Sequence, residues 1–185
     1  MNRPECLNAV NKYTADQLYA AFRKLDTDKS ITAGVITSTS NNFCSGYDLK
    51  ELANMEHEQI LARFDSMKKD ESPMGPCRMK IKKPLVAAIE GACVAGGLEL
   101  ALMADIRIGA ESSYYGWVFG WKFFDSKTPS SLLNRRYGVP LIDGGTVRLP
   151  AVVGHGRALH LAMTGERIEC EEAERIGLIT KVRGS

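Results

Sequence analysis

The chain has 185 residues, with 24 lysines and arginines against 22 aspartates and glutamates and a formal net charge of +2. That length supports one domain, 1–185, with a sizeable core. Balanced, interspersed charge offers no basic face to nucleic acid, and no apolar run approaches the roughly 20 residues that cross a bilayer, so neither nucleic acid nor a membrane is expected as a partner.

The five cysteines (Cys6, Cys44, Cys77, Cys93 and Cys170) are scattered and never spaced C-x-x-C. They fit reduced thiols better than a disulfide framework or a zinc site, and His57, His155 and His160 form no metal pattern. An intracellular setting is expected, mitochondrial or cytoplasmic. The sequence is polar from Asn2 onward, so no leader peptide is expected either.

In chain order, Asn2 to Ala9 predicts a polar turn. A helix is predicted from Thr14, where Thr14 and Gln17 have capping-box spacing, with Leu18, Ala21, Phe22 and Leu25 as its apolar face. Ile31 to Ser38, centred on Val35-Ile36, predicts a buried parallel strand. The order loop, helix, strand suggests an α/β architecture with right-handed crossovers. The strand leads into Asn41 to Lys50, where Gly46 lets the backbone turn sharply and aim the next N–H outward. His57 to Lys69 predicts a solvated helix with Ile60, Leu61, Phe64 and Met67 inward. Glu71 to Lys83, with two prolines and several cations, predicts a mobile loop.

Pro84 to Ile89 predicts a strand, Gly91 to Gly96 a glycine turn, Leu98 to Ala104 a helix and Ile106 to Ala110 a second strand. Tyr114 to Asn134 holds both tryptophans and several phenylalanines without a clear period, compatible with core, an interface or an insertion. Tyr137 to Thr146 predicts a glycine-rich loop carrying Asp143. Gly154 to Met163 predicts a helix with Leu159 and Met163 inward and Gly165 closing it. Glu171 to Ile176 predicts another, closed by Gly177, and Leu178 to Val182 predicts a strand.

The chemistry concentrates at Gly96-Gly97-Leu98-Glu99. Glycines where a loop becomes a helix leave backbone N–H groups unpartnered at the positive end of the dipole, which suits an anion or a developing oxyanion. Glu99 lies within the same first turn. As an acid there it is a candidate proton carrier, although a carboxylate near a helix start is also favoured by the dipole alone.

Several motifs in one order now suggest a family. They are Asn2-Arg3-Pro4, Phe43 to Lys50, Lys83-Pro84, Gly91 with Gly96-Gly97-Leu98-Glu99-Leu100-Ala101, Asp105-Ile106-Arg107, Gly144 to Pro150, and Thr164-Gly165. Together they resemble the crotonase (enoyl-CoA hydratase/isomerase) superfamily, and most of all hydratase-like members with a Gly138-to-Thr146 loop of this type.

The resemblance implies a crotonase-like fold of repeated ββα units. It implies an acyl-CoA thioester as substrate, no separate cofactor, and a homo-oligomer, a trimer or a dimer of trimers. It also implies an oxyanion hole from the N–H groups of Tyr47 and Gly96, with Gly46, Tyr47, Asp48, Leu49, Lys50, Gly96 and Gly97 contacting substrate. Glu99 matches the first of two catalytic glutamates. At the second position no acid aligns. Asn134 falls there, and Asn orients water but takes no proton. Asp143 is the candidate second acid, with an ordinary turn residue as its alternative.

By the same resemblance, about fifteen residues near 117–133 form an insertion. An N-terminal strand and C-terminal helices are expected to be missing from the fold. The reaction expected is hydration or dehydration of a 2-enoyl-CoA. The alternatives are isomerisation of an enoyl- or dienoyl-CoA, decarboxylation of an acyl-CoA, or a truncated, non-catalytic acyl-CoA-binding or interaction protein.

Overall fold

In the computed structural model, residues 1–116 and 141–184 are described. The predicted insertion near 117–133 and Asn134 therefore lie outside the described residues.

Among the described residues, two small sheets carry the fold. The first is all parallel, in the order β1 (Gly34–Ile36), β2 (Leu85–Ile89), β4 (Ile106–Ala110), β7 (Lys181–Arg183). The second pairs β3 (Ala92–Val94) parallel to β5 (Tyr114–Gly116), and β5 antiparallel to β6 (Ile168–Glu169). Its β3 edge is extended by a parallel bridge between Cys44 and Cys93.

Successive turns of chain thus each contribute to both sheets: β1 then the bridge residue Cys44, β2 then β3, β4 then β5. This is the repeated ββα organisation expected from the resemblance. The α-helices of the described residues are α1 (Lys12–Thr27), α2 (Leu49–Ala53), α3 (His57–Asp65), α4 (Gly96–Ala101), α5 (Gly145–Val153), α6 (His155–Thr164) and α7 (Cys170–Arg175). The core joins Phe43, Leu98, Leu100, Tyr115, Leu149, Leu178 and Ile179, all essentially inaccessible.

Several local expectations change. α1 begins two residues before Thr14, because Asn11 is the cap and its side chain accepts from the Thr14 N–H at 2.9 Å. Its inner face takes Ala15 rather than Ala21, with Phe22 and Leu25. β1 is an edge strand, so Ile36 is buried while Val35 faces out. The supposed turn after β2 contains β3, three buried residues too few to show a period.

α5 starts at Gly145, so its first two residues lie within the stretch predicted as a glycine-rich loop, and it runs on through Pro150 to Val153. α6 buries Ala158 and Leu161, whereas Leu159 and Met163 point outward. α3 exposes Leu61 and Phe64 and turns Arg63 inward. The last strand is Lys181–Arg183, three residues later than its expected start.

The largest change concerns Glu71 to Lys83. Instead of a mobile loop, residues Ser72 to Cys77 are all buried, with Met74 fully so. A tight Ser72–Gly75 bridge and the left-handed Gly75 (φ 88°) fold the segment back on itself, beneath the start of α4.

Candidate functional site

The Cys44–Cys93 pairing sets the site. The Cys44 N–H donates to Ala92 O at 2.9 Å, and the Val94 N–H to Cys44 O at 3.0 Å. With that register fixed, the residues two and three further on in each turn, Gly46-Tyr47 and Ala95-Gly96, come side by side. Gly46 is left-handed (φ 94°), and a Cβ there would lie 2.9 Å from the Gly96 nitrogen. Only glycine permits this approach.

On its other side, Tyr47 forms a parallel bridge with Val10. The Val10 N–H donates to Gly46 O at 2.7 Å and Val10 O accepts from the Asp48 N–H at 3.0 Å. In such a bridge the intervening Tyr47 N–H points away from Val10. Neither it nor the Gly96 N–H has an acceptor among the described residues.

Ala95, immediately before α4, holds φ 50° and ψ −129°, a conformation costing on the order of 1–3 kcal/mol. It is fixed by its own N–H donating to Gly116 O at 2.8 Å and by its carbonyl accepting from Leu98 at 3.0 Å. A Cβ on Gly97 would run into the Cys44 carbonyl, and one on Gly96 would lie 2.8 Å from Met74 Sδ. The two glycines are therefore demanded by packing from opposite sides.

Glu99 is only 1% exposed. Its Oε1 accepts from the Gly145 N–H at 2.7 Å and the Asp143 N–H at 3.1 Å, so the carboxyl sits against the start of α5. Burial pushes it up to about 7, and the neighbouring Asp143 charge adds to this. The two N–H donors and Arg148 act in the opposite sense without cancelling it.

Asp143 is buried too, and its Oδ1 accepts from the Met74 N–H at 3.1 Å. Burial raises it, against the Ser72 hydroxyl, the Met74 N–H and the cations Arg78 and Arg148. Arg148 ties the loop together, donating to Asp143 O at 2.8 Å and to Cys77 O. Gly144 (φ 89°) leaves room for that guanidinium. The structure thus brings Glu99 and Asp143, 44 residues apart, into one buried acidic pair.

The remaining sequence candidates divide. Asp48 is buried in an ion pair with Arg3 at 3.0 Å and accepts from the Lys50 N–H at 3.2 Å, starting α2. Leu49 is half-buried and Lys50 exposed. The Tyr47 ring is half-buried, its phenol pushed up to about 12 mainly by burial, so it stays protonated. Cys44, Cys77 and Cys93 are buried, and burial raises their thiols well away from the thiolate form a nucleophile needs. No group of three or more potential metal ligands occurs among the described residues.

Sequence reasoning missed Met74, Ser72, Arg148 and Arg63. The Pro73-Met74-Gly75-Pro76 run was the available signal for the first two, since paired prolines around glycine also build tightly packed turns.

The profile of the enoyl-CoA hydratase/isomerase family matches residues 1–185. A probable enoyl-CoA hydratase of Mycobacterium bovis is 31% identical over 182 residues, covering 98% of this chain and 63% of the relative. A peroxisomal Delta(3,5)-Delta(2,4)-dienoyl-CoA isomerase of Arabidopsis thaliana is 30% identical over 197 residues, covering 100% of this chain and 64% of the relative. Among solved structures, enoyl-CoA hydratase EchA1 of Mycobacterium marinum superposes with a TM-score of 0.80 at 30% identity, covering 100% of this chain and 64% of that one. The chain thus spans just under two thirds of the length of these relatives.

Proposed function

The chain belongs to the enoyl-CoA hydratase/isomerase family, and on that premise we propose that it binds an acyl-CoA thioester and adds water to, or removes it from, a 2-enoyl group. The Tyr47 and Gly96 N–H groups receive the thioester oxygen. Conjugate attack of water on C3 moves electrons onto that oxygen, and two fixed donors stabilise the enolate by a few kcal/mol more than the ground state.

Glu99 takes the proton from the attacking water and delivers it to C2 as the enolate collapses, with the neighbouring Asp143 charge favouring its protonated form. A group that titrates near 7 is present in both forms at neutral pH, as a carrier working in both directions requires. The observation that carries the reading is Glu99 itself: buried, held near 7, and three residues after an N–H with no acceptor among the described residues.

The test is Glu99→Gln, assayed with a 2-enoyl-CoA by loss of the conjugated thioester absorbance. Turnover should fall by about 100-fold or more, with acyl-CoA affinity within a few-fold of the parent. Equal turnover in the two proteins would remove Glu99 from the mechanism. Binding by the parent without turnover would leave only the binding function.

A second reading is a shift of the double bond within an enoyl- or dienoyl-CoA. It is favoured by Asp143, because two adjacent carboxyls can move a proton between carbons without water. Incorporation of labelled water oxygen into product separates hydration from isomerisation.

A further inference from the structure

α3 is short and mostly solvated, yet its Arg63 is folded inward and only 9% exposed. Nη1 donates to Glu51 Oε2 at 2.8 Å, and the guanidinium carbon lies 5.1 Å from the centre of the Tyr47 ring. Nε and Nη2 are buried and have no acceptor among the described residues. These two nitrogens form one edge of the planar guanidinium. Their N–H bonds run parallel and match the two oxygens of a carboxylate.

Glu51 is not free to swing across and fill that edge. Both its oxygens accept from the Lys12 backbone N–H, at 3.0 and 3.1 Å, which holds it on the Nη1 side. A buried donor left dry costs about 1–3 kcal/mol, more when the group is charged. A purely structural arginine gives no reason for that cost.

Building on the acyl-CoA reading above, we propose that Arg63 is a specificity-determining residue whose Nε–Nη2 edge receives a carboxylate at the far end of the acyl group. The preferred ligand is then the CoA monothioester of a short dicarboxylic acid. Its length follows from the geometry. A tyrosine ring centre lies about 5 Å from its own backbone nitrogen, so the guanidinium is within about 10 Å of the Tyr47 N–H. Hydrogen bonds of about 2.9 Å at each end leave at most about 4 Å of carbon chain, which sets the upper limit at about a four-carbon diacid.

The experiment titrates the full chain calorimetrically with succinyl-CoA and with butanoyl-CoA, which have the same number of acyl carbons, and separately with free succinate. In the unmodified protein succinyl-CoA should bind at least tenfold more tightly than butanoyl-CoA. That ratio should collapse to about one or below in Arg63→Met. Arg63→Lys, which keeps the charge but loses the fork, should lose most of it as well. Circular dichroism checks that both variants are folded, and the comparison within the unmodified protein needs no variant.

If butanoyl-CoA binds and succinyl-CoA binds no better, the carboxylate assignment is overturned while the acyl-CoA reading stands. A preference that persists in Arg63→Met overturns it equally. If free succinate binds as tightly as succinyl-CoA, the edge serves a free dicarboxylate and the acyl-tail assignment falls. If neither thioester binds, the underlying reading fails and takes this one with it.

Discussion

Glu99→Gln should change the pH dependence of folding stability as well as turnover. The substitution is nearly isosteric, and the amide oxygen can still accept from the Asp143 and Gly145 N–H groups that hold Oε1. What disappears is the titration. In the parent, the carboxyl rises from its usual 4.5 to about 7 on folding, chiefly through burial. The folded protein therefore keeps a proton that the unfolded chain gives up.

The stability due to this group is fully present below pH 4.5 and is lost as pH climbs through about 7. The rise from 4.5 to about 7 corresponds to roughly 3 kcal/mol, with no discount for solvent at 1% exposure. Urea denaturation of parent and variant at pH 4.5, 6 and 8 reads this directly. The stability of Glu99→Gln relative to the parent should increase by about 3 kcal/mol across that range. Parallel profiles, with a difference changing by less than about 1 kcal/mol, would mean the carboxyl is ordinary and would refute the argument for its catalytic poise.

Two further predictions follow from neighbouring contacts. Asp143→Asn keeps an acceptor for the Met74 N–H but removes the charge that helps hold Glu99 up, so the midpoint of the pH–rate profile should move to lower pH. An unmoved midpoint would show the two carboxyls act independently. Gly97→Ala drives a methyl group into the Cys44 carbonyl and should lower stability by about 1–3 kcal/mol or more in thermal unfolding. Gly46→Ala adds backbone strain (φ 94°) and places a methyl 2.9 Å from the Gly96 nitrogen, so it should also abolish acyl-CoA binding. Gly154→Ala, similarly strained (φ 84°) but in open space, should leave binding unchanged.

How much of this was legible depended on the reach of the interactions. β2 was readable because a five-residue apolar run between breakers needs no partner to be recognised, and β4 because Ile106, Ile108 and Ala110 alternate along it. The Gly96 and Glu99 candidates were readable for the same reason, since a helix start is a local event. β3 was hidden because three residues between glycines carry no period, although the pairing of Cys93 with Cys44 sets the whole site.

α3 misled because a stripe of Leu61 and Phe64 looks like a core face. The buried side chain is instead Arg63, whose partner Glu51 lies on another helix. Ser72 to Cys77 misled through its prolines and flanking cations. Its burial comes from contacts that no local pattern encodes: Met74 against Gly96 and the Met74 N–H on Asp143.

Those long-range contacts explain why the site is assembled rather than merely present. Asp143 reaches Glu99 only because α5 begins where the Glu99 carboxyl can accept from Gly145, and because Arg148 ties the Asp143 carbonyl to that of Cys77. The strained Ala95 is tolerated because Gly116 O and the first turn of α4 hold it from both sides. A slip of one residue in the Cys44–Cys93 register would exchange the faces of every side chain in β3. It would also carry Tyr47 away from Gly96. The pairing of two buried, chemically inert cysteines is therefore the contact on which the outward N–H pair depends, and a substitution that shifts it should remove thioester binding before it unfolds the chain.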